Sequence, residues 1–154
     1  MNFKRSKVKK IFVIGDIHGG LKALKQVLEK AAVSTNCTLI FLGDYVDGWS
    51  ESAQVLEFVI NLSKQQHCIF IKGNHDVWCE DWLRTGYADT TWLVHGGKET
   101  IESYVSIDTF TKQQHLLFFE QMPYYFIDEQ NRLFIHAGFT SMHGPKAELN
   151  IVNC

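Results

Sequence analysis

Four short apolar runs punctuate the chain, and each ends in residues that can hold a metal ion. Ile11-Phe12-Val13-Ile14 leads into Gly15-Asp16-Ile17-His18-Gly19. Leu39-Ile40-Phe41-Leu42 leads into Gly43-Asp44-Tyr45-Val46-Asp47-Gly48, and Ile69-Phe70-Ile71-Lys72 into Gly73-Asn74-His75-Asp76. The glycines Gly15, Gly43 and Gly73 lie 28 and 30 residues apart, about one βα unit each. Unbroken apolar runs of this length predict strands covered on both faces, at about 10–15, 38–43 and 68–72. Between them, Leu21, Leu24, Val27, Leu28 and Ala31 fall on one helical stripe opened by Gly19-Gly20. Val55, Leu56, Val59 and Ile60 form the buried face of a second helix, with Ser50 or Ser52 as its cap and Glu51 near its positive end. The order is βαβαβ. In a parallel sheet the carboxyl ends of all three strands meet along one edge.

Residues 77–122 read as mainly helical and aromatic-rich, with Trp78, Trp82, Tyr87, Trp92, Tyr104, Phe110, Phe118 and Phe119 assigned to core or cap packing. Trp78 and Trp82, one helical turn apart, alternatively border a substrate cleft. Pro123 stops the last helix. Tyr124–Ile127 and Arg132–Ile135 flank the turn-rich Asp128-Glu129-Gln130-Asn131 and predict a β-hairpin. Its second strand delivers His136-Ala137-Gly138, the fourth run ending in a ligand-type residue.

Length and composition add limits. A chain of 154 residues suits a single domain with a real core. A net charge of −2 argues against generic binding to nucleic acid or an anionic membrane. The one basic stretch, Lys4, Arg5, Lys7, Lys9 and Lys10, reads as a solvated tail. No signal peptide or membrane span is evident, so the cytoplasm is the expected compartment. The four cysteines, Cys37, Cys68, Cys79 and Cys154, show no zinc-type spacing and read as reduced thiols. His67 and His115 read as surface residues.

If the strands pair as expected, Asp16, His18, Asp44, Asp47, Asn74 and His75 share one edge. A carboxylate bridging two cations, flanked by His, Asp and Asn, builds a site with metals ~3.5–4 Å apart that activates water and clamps phosphoryl oxygens. Mixed oxygen and imidazole donors suit manganese first, with iron or zinc as alternatives. Each motif alone is an ordinary strand-to-loop turn; only their joint occurrence at successive strand ends points to metal chemistry. A competing reading, a nucleotide phosphate loop at Gly15–Gly20, lacks both GxGxxG and GK[ST].

These four motifs resemble the calcineurin-like metallophosphoesterase superfamily, on the branch holding serine/threonine protein phosphatases, their bacteriophage relatives and symmetrical diadenosine tetraphosphatases. The resemblance spans about residues 10–140. It implies an α/β fold, a β-sandwich flanked by helices, with two divalent metal ions on its upper edge. Asp16 and His18 would hold the first metal, Asp44 would bridge, and Asn74 and His136 would hold the second. His75 would be the catalytic acid, oriented by Asp47. The implied activity is hydrolysis of phosphomonoesters, on phosphoserine or phosphothreonine proteins or small phosphoesters, by attack of metal-bound hydroxide. Dinucleoside polyphosphates are the alternative substrate, and an inactive remnant or binding module is the alternative role.

Two departures stand out. The protein-phosphatase branch places a phosphate-gripping arginine where this chain has Gly48; Lys72, Arg84, His95 or Lys98 could supply that charge. The family also carries a ligand histidine beyond His-Ala-Gly, whereas this sequence stops sixteen residues after Gly138. The reading is therefore a single domain over 1–154, incomplete at its carboxyl end. The expectation is that it lacks the strands completing the second sheet and is weakly stable, oligomeric or inactive by itself. His143 is the only nearby substitute ligand and reads as a loop residue. His95, in a His-Gly-Gly context, is a decoy for the ligand His136.

Overall fold

The computed structural model describes residues 10–147. Most of the basic amino-terminal stretch, Lys4 to Lys9, and Cys154 lie outside those residues. The elements are β1 (Ile11–Ile14), α1 (Leu21–Lys30), β2 (Thr38–Phe41), α2 (Ser52–Ser63), β3 (His67–Phe70), α3 (Asn74–Thr85) and α4 (Thr90–Trp92). A kink at Leu93–Gly97 leads into α5 (Lys98–Ser103), followed by α6 (Thr109–Glu120) and the strands β4 (Tyr125–Ile127) and β5 (Leu133–Ile135).

β1, β2 and β3 form a parallel sheet in that order, with Ile11 opposite Thr38 and Thr38 opposite His67. The three expected strands exist, each ending one to two residues before the expected range does. The even coverage expected of them does not hold. Central β2 is buried at every position, whereas Val13 in β1 is 49% exposed. The reason is topological: β1 and β3 are the edges of the sheet among the described residues. The second sheet is represented there by the antiparallel β4–β5 hairpin alone, with Tyr125 opposite Ile135.

The core gathers Leu39, Phe41, Tyr45, Val46, Val55, Leu56, Val59, Trp92, Tyr104 and Phe119. On α1 the expected stripe is only partly buried: Leu21 and Leu24 are covered, but Val27 is 54% exposed. Ser52 is the first residue of α2 rather than its cap; neither it nor Glu51 caps through its side chain. The aromatic insert also divides. Trp82 packs on Trp92 and Tyr104 in the core, while Tyr87 and Phe110 are solvent-exposed, against the packing role expected of them.

His115 is the clearest correction. Expected at the surface, it is 1% exposed on the inner face of α6 and bonds the Tyr104 hydroxyl through Nδ1 at 2.8 Å. Burial pushes its pKa down to about 4. The unfolded chain then binds a proton at His115 between about pH 6.5 and 4 that the folded chain does not. Stability from this residue is full above pH 6.5 and falls as pH drops through that window, by on the order of 3 kcal/mol. His115→Gln is therefore expected to flatten the acid-side decline of melting temperature. An unchanged pH slope in the variant would contradict the assignment.

Cys37, Cys68 and Cys79 are free thiols. Among the described residues no helix is long and apolar enough to cross a membrane.

Candidate metal and catalytic centre

The sheet edge does collect the motif residues. The backbone after β1 and the backbone after β2 are stitched together: Ile17 N and His18 N both donate to Asp44 O at 2.9 Å, and Gly19 N donates to Tyr45 O at 2.9 Å. His18, Asp44 and Asp47 all adopt positive φ, at 48°, 54° and 74°. Non-glycine residues hold that conformation at a cost, and only where surrounding contacts fix them. Here the strained residues are the ones that carry the site's side chains.

Gly73 allows the third loop to close on the second. A Cβ there would overlap the Asp44 carboxylate and stand 2.6 Å from Asp44 N. Neither the buried carboxylate nor the backbone amide can retreat. Gly73→Ala is expected to destabilise the fold by on the order of 2–3 kcal/mol through overpacking and to displace Asp44. A melting temperature equal to that of the unsubstituted chain would show that the loops are not packed this way.

Asp44 is 4% exposed and lies at the amino end of α3, where its Oδ1 accepts from His75 N at 3.1 Å. Its Oδ2 faces His136 Nε2 at 3.3 Å and His18 Nε2 at 3.7 Å. Two groups of potential ligand atoms share it: Asp16, Asp44 and His136, and His18, Asp44 and His75, each within 4.8 Å. Burial works to raise the Asp44 carboxyl, but the hydrogen bond and charge of His136, with His75, outweigh it and hold the pKa below the usual carboxylate range.

The hydrogen bonds of the histidines decide what the cluster fits. His136 Nδ1 lies 3.1 Å from Leu42 O and His18 Nδ1 lies 3.0 Å from Val46 O. A carbonyl oxygen only accepts, so in each ring Nδ1 carries the hydrogen. Each Nε2 then presents a lone pair to the cluster. His136 Nε2 faces Asn74 Oδ1 at 3.1 Å and the Asp44 carboxylate, so the neutral ring sets acceptor against acceptor, and the hydrogen bond and charge of Asp44 raise the His136 pKa. A proton on His136 or a metal cation satisfies that juxtaposition, and backbone-oriented imidazoles are the usual support of metal-ligating histidines. Asp16, His18, Asp44, Asn74 and His136 fit a pair of divalent ions. Together with His75 and Asp47 they are the residues the motifs bring together.

His75 is held separately. Its Nδ1 bonds Asp47 Oδ2 at 2.6 Å, and its ring meets His18 edge-on at 4.9 Å. Burial tends to lower the His75 pKa, but the Asp47 hydrogen bond and the charge of Asp44 prevail and raise it. Asp47 is fully buried, with Trp92 Nε1 donating to Oδ2 at 2.8 Å and Thr100 Oγ1 donating to Oδ1 at 2.7 Å. Its amide is held by Ser52 Oγ at 3.1 Å and Thr100 Oγ1 at 2.9 Å.

Asp76, Trp92, Thr100 and Ser52 escaped the sequence reading as site residues. Asp76 is fully buried and accepts from Asp44 N, Tyr45 N and Gly73 N at 2.8–2.9 Å, clamping two loops. Burial pushes its carboxyl up to about 7, against the pull of the Gly73, Tyr45 and Asp44 amides. Its signal was available: an acidic residue in the first turn of a glycine-opened helix. Trp92 and Thr100 had none, being 45 and 53 residues from Asp47.

Lys72 and Arg84 share no ion pair with this cluster among the described residues. Both meet Glu80, Lys72 through Oε2 and Arg84 through Oε1, and Arg84 also meets Glu120 at 3.1 Å. Their charge is already neutralised by carboxylates. His95 is exposed and faces Trp78, which meets the His75 ring edge-on at 5.1 Å. Trp78 therefore borders the site while also packing against the core, as expected of it. His143 is a loop residue.

Residues 9–151 match the family described as calcineurin-like phosphoesterase. The chain belongs to this family. Among curated relatives, the bis(5'-nucleosyl)-tetraphosphatase PrpE [asymmetrical] of Oceanobacillus iheyensis is 29% identical over 143 residues, covering 84% of this chain and 56% of the relative. The protein of the same name from Anoxybacillus flavithermus is 29% identical over 140 residues, covering 82% and 56%. This calcineurin-like phosphoesterase chain thus spans about half the length of the curated relatives it matches. Among solved structures, a putative diadenosine tetraphosphatase shares the fold with a TM-score of 0.67 at 20% identity, covering 92% of this chain and 56% of that one. A serine/threonine phosphatase from Saccharomyces cerevisiae gives 0.64 at 21% identity, covering 89% and 40%.

Proposed function

We propose that this chain carries the catalytic edge of a metal-dependent phosphoesterase whose substrates are dinucleoside polyphosphates. The observation behind the metal is the convergence of Asp16, His18, Asp44, Asn74 and His136, in which a divalent cation satisfies the lone pairs that a neutral His136 sets against Asp44 and Asn74. Divalent cations held there supply Lewis-acid neutralisation of phosphoryl oxygens and lower the pKa of water.

The chain's own residues do the rest. Asp44, shared by both ligand groups, fixes their spacing. Asp47, with both carboxylate oxygens engaged, holds the His75 ring by Nδ1 and favours its protonated form. His75 Nε2 then serves as the proton donor to the departing oxygen. His75 follows the proposed ligand Asn74 directly and is oriented by Asp47 from the loop that carries Asp44, so metal ligands and proton donor are built from the same two loops.

The substrate class draws on the relatives, whose names specify bis(5'-nucleosyl)-tetraphosphate cleavage of the asymmetrical kind. This supports dinucleoside polyphosphates over the phosphomonoesters that the motifs put first, and asymmetrical over symmetrical cleavage. The test is product analysis after incubating the chain with manganese and diadenosine tetraphosphate. The expected products are adenosine triphosphate and monophosphate in equal amounts. Two diphosphates would contradict the asymmetrical reading; no turnover of this substrate or of an aryl phosphate by metal-loaded chain would favour a binding role.

A further inference from the structure

Between Trp92 and Lys98 the chain abandons regular helix. Leu93–Gly97 is a kink between two helices, with His95 at φ −105°, ψ 25° and Gly96 at φ 102°. A break of this kind inside a helical run persists where surrounding contacts hold it. The contacts here come from the loop that carries Asp47. Gly96 O accepts from Gly48 N at 3.4 Å, Trp92 Nε1 binds Asp47, and a Cβ on Gly96 would strike Gly48 N and stand 3.1 Å from Asp47 Cβ. The kink is docked on the catalytic loop.

This docking sets His95 beside Trp78, ring centroids 6.1 Å apart and tilted by 39°. Trp78 in turn meets His75 at 5.1 Å. His95 Nδ1 lies 2.7 Å from Thr91 O and so donates to it. In the neutral ring Nε2 is then an acceptor, and no protein partner meets it among the described residues. A ring with one fixed donor and one open acceptor suits a hydroxyl or amino donor rather than an anionic phosphate.

We propose that Trp78 and His95 form the leaving-group subsite, where the base of a nucleoside polyphosphate stacks on the Trp78–His95 pair. His95 Nε2 accepts a hydrogen bond from a base amino group or ribose hydroxyl. The side is set by His75: a group that takes its proton there departs across Trp78. The inference rests on the phosphoesterase reading above and names the part of the substrate that this face recognises.

Isothermal titration of the manganese-loaded full chain tests it, using a methylene-bridged, non-hydrolysable diadenosine tetraphosphate analogue and inorganic phosphate as probes. The chain is expected to bind the analogue at least about tenfold more tightly than phosphate. His95→Ala and Trp78→Ala are each expected to reduce that preference about tenfold, and His95→Phe to restore part of it by keeping the stack. His95 is exposed, so its variants should melt like the unsubstituted chain, which separates recognition from folding. A preference unchanged in both His95 variants overturns the subsite. An unsubstituted chain that binds phosphate without preferring the analogue does the same and leaves the phosphoesterase reading intact. Binding of neither probe overturns both.

Discussion

Asp44→Asn is expected to lower phosphoesterase turnover by on the order of a thousandfold while leaving the fold in place. Asp44 is the one residue common to both groups of ligand atoms. Its Oδ1 is committed to His75 N, and its Oδ2 faces two imidazole nitrogens. The amide keeps the shape but replaces one acceptor by a donor and removes the negative charge. If the amide oxygen keeps the His75 N bond, an N–H group points where a cation belongs. Because the side chain is 4% exposed, water cannot easily take over the missing ligand role. The variant's melting curve and turnover should be measured together; loss of turnover with an unchanged melt is the expected pair. Turnover within tenfold of the unsubstituted chain would show that Asp44 does not bridge.

His75→Asn is expected to act differently, and the difference identifies its role. A positioned general acid contributes about 10²–10⁴ in rate, and that help matters most when the leaving oxygen is strongly basic. The variant should lose the full factor on an alkyl phosphate and far less on an aryl phosphate with an acidic phenol. Equal losses on both would instead mean that His75 acts mainly through the metal cluster, which its contact with His18 makes the physical alternative. The Asp47 bond at 2.6 Å, with Asp47 held by Trp92 and Thr100, fixes the orientation of the His75 ring.

Much of this site was legible because its chemistry sits at strand ends, where sequence order and spatial order agree. Three apolar runs spaced one βα unit apart were enough to align Asp16, Asp44 and Asn74, and β1, β2 and β3 pair as that spacing requires. The hairpin carrying His136 was equally readable from its turn residues. The support behind the site was hidden. Trp92 and Thr100 reach Asp47 from a helical insert whose docking depends on tertiary packing, and helical periodicity does not report such contacts. Gly97 shows the same limit. A Cβ there would stand 2.5 Å from the Trp92 indole, a constraint set by a residue five positions earlier. His115 was misplaced because a polar residue in an amphipathic helix defaults to the surface unless its partner, here Tyr104, is known. Lys72 and Arg84 were candidates by charge alone, and Glu80, the carboxylate they share, appears only once α3 is folded.

The central claim is that Asp44 joins two neighbouring cations. Electron paramagnetic resonance of the manganese-loaded chain tests it most directly, because two ions sharing a carboxylate are magnetically coupled. A coupled-pair spectrum at two manganese ions per chain, abolished by Asp44→Asn, is the result this account predicts. A spectrum of isolated manganese only, or no stoichiometric uptake by the folded chain, would contradict it.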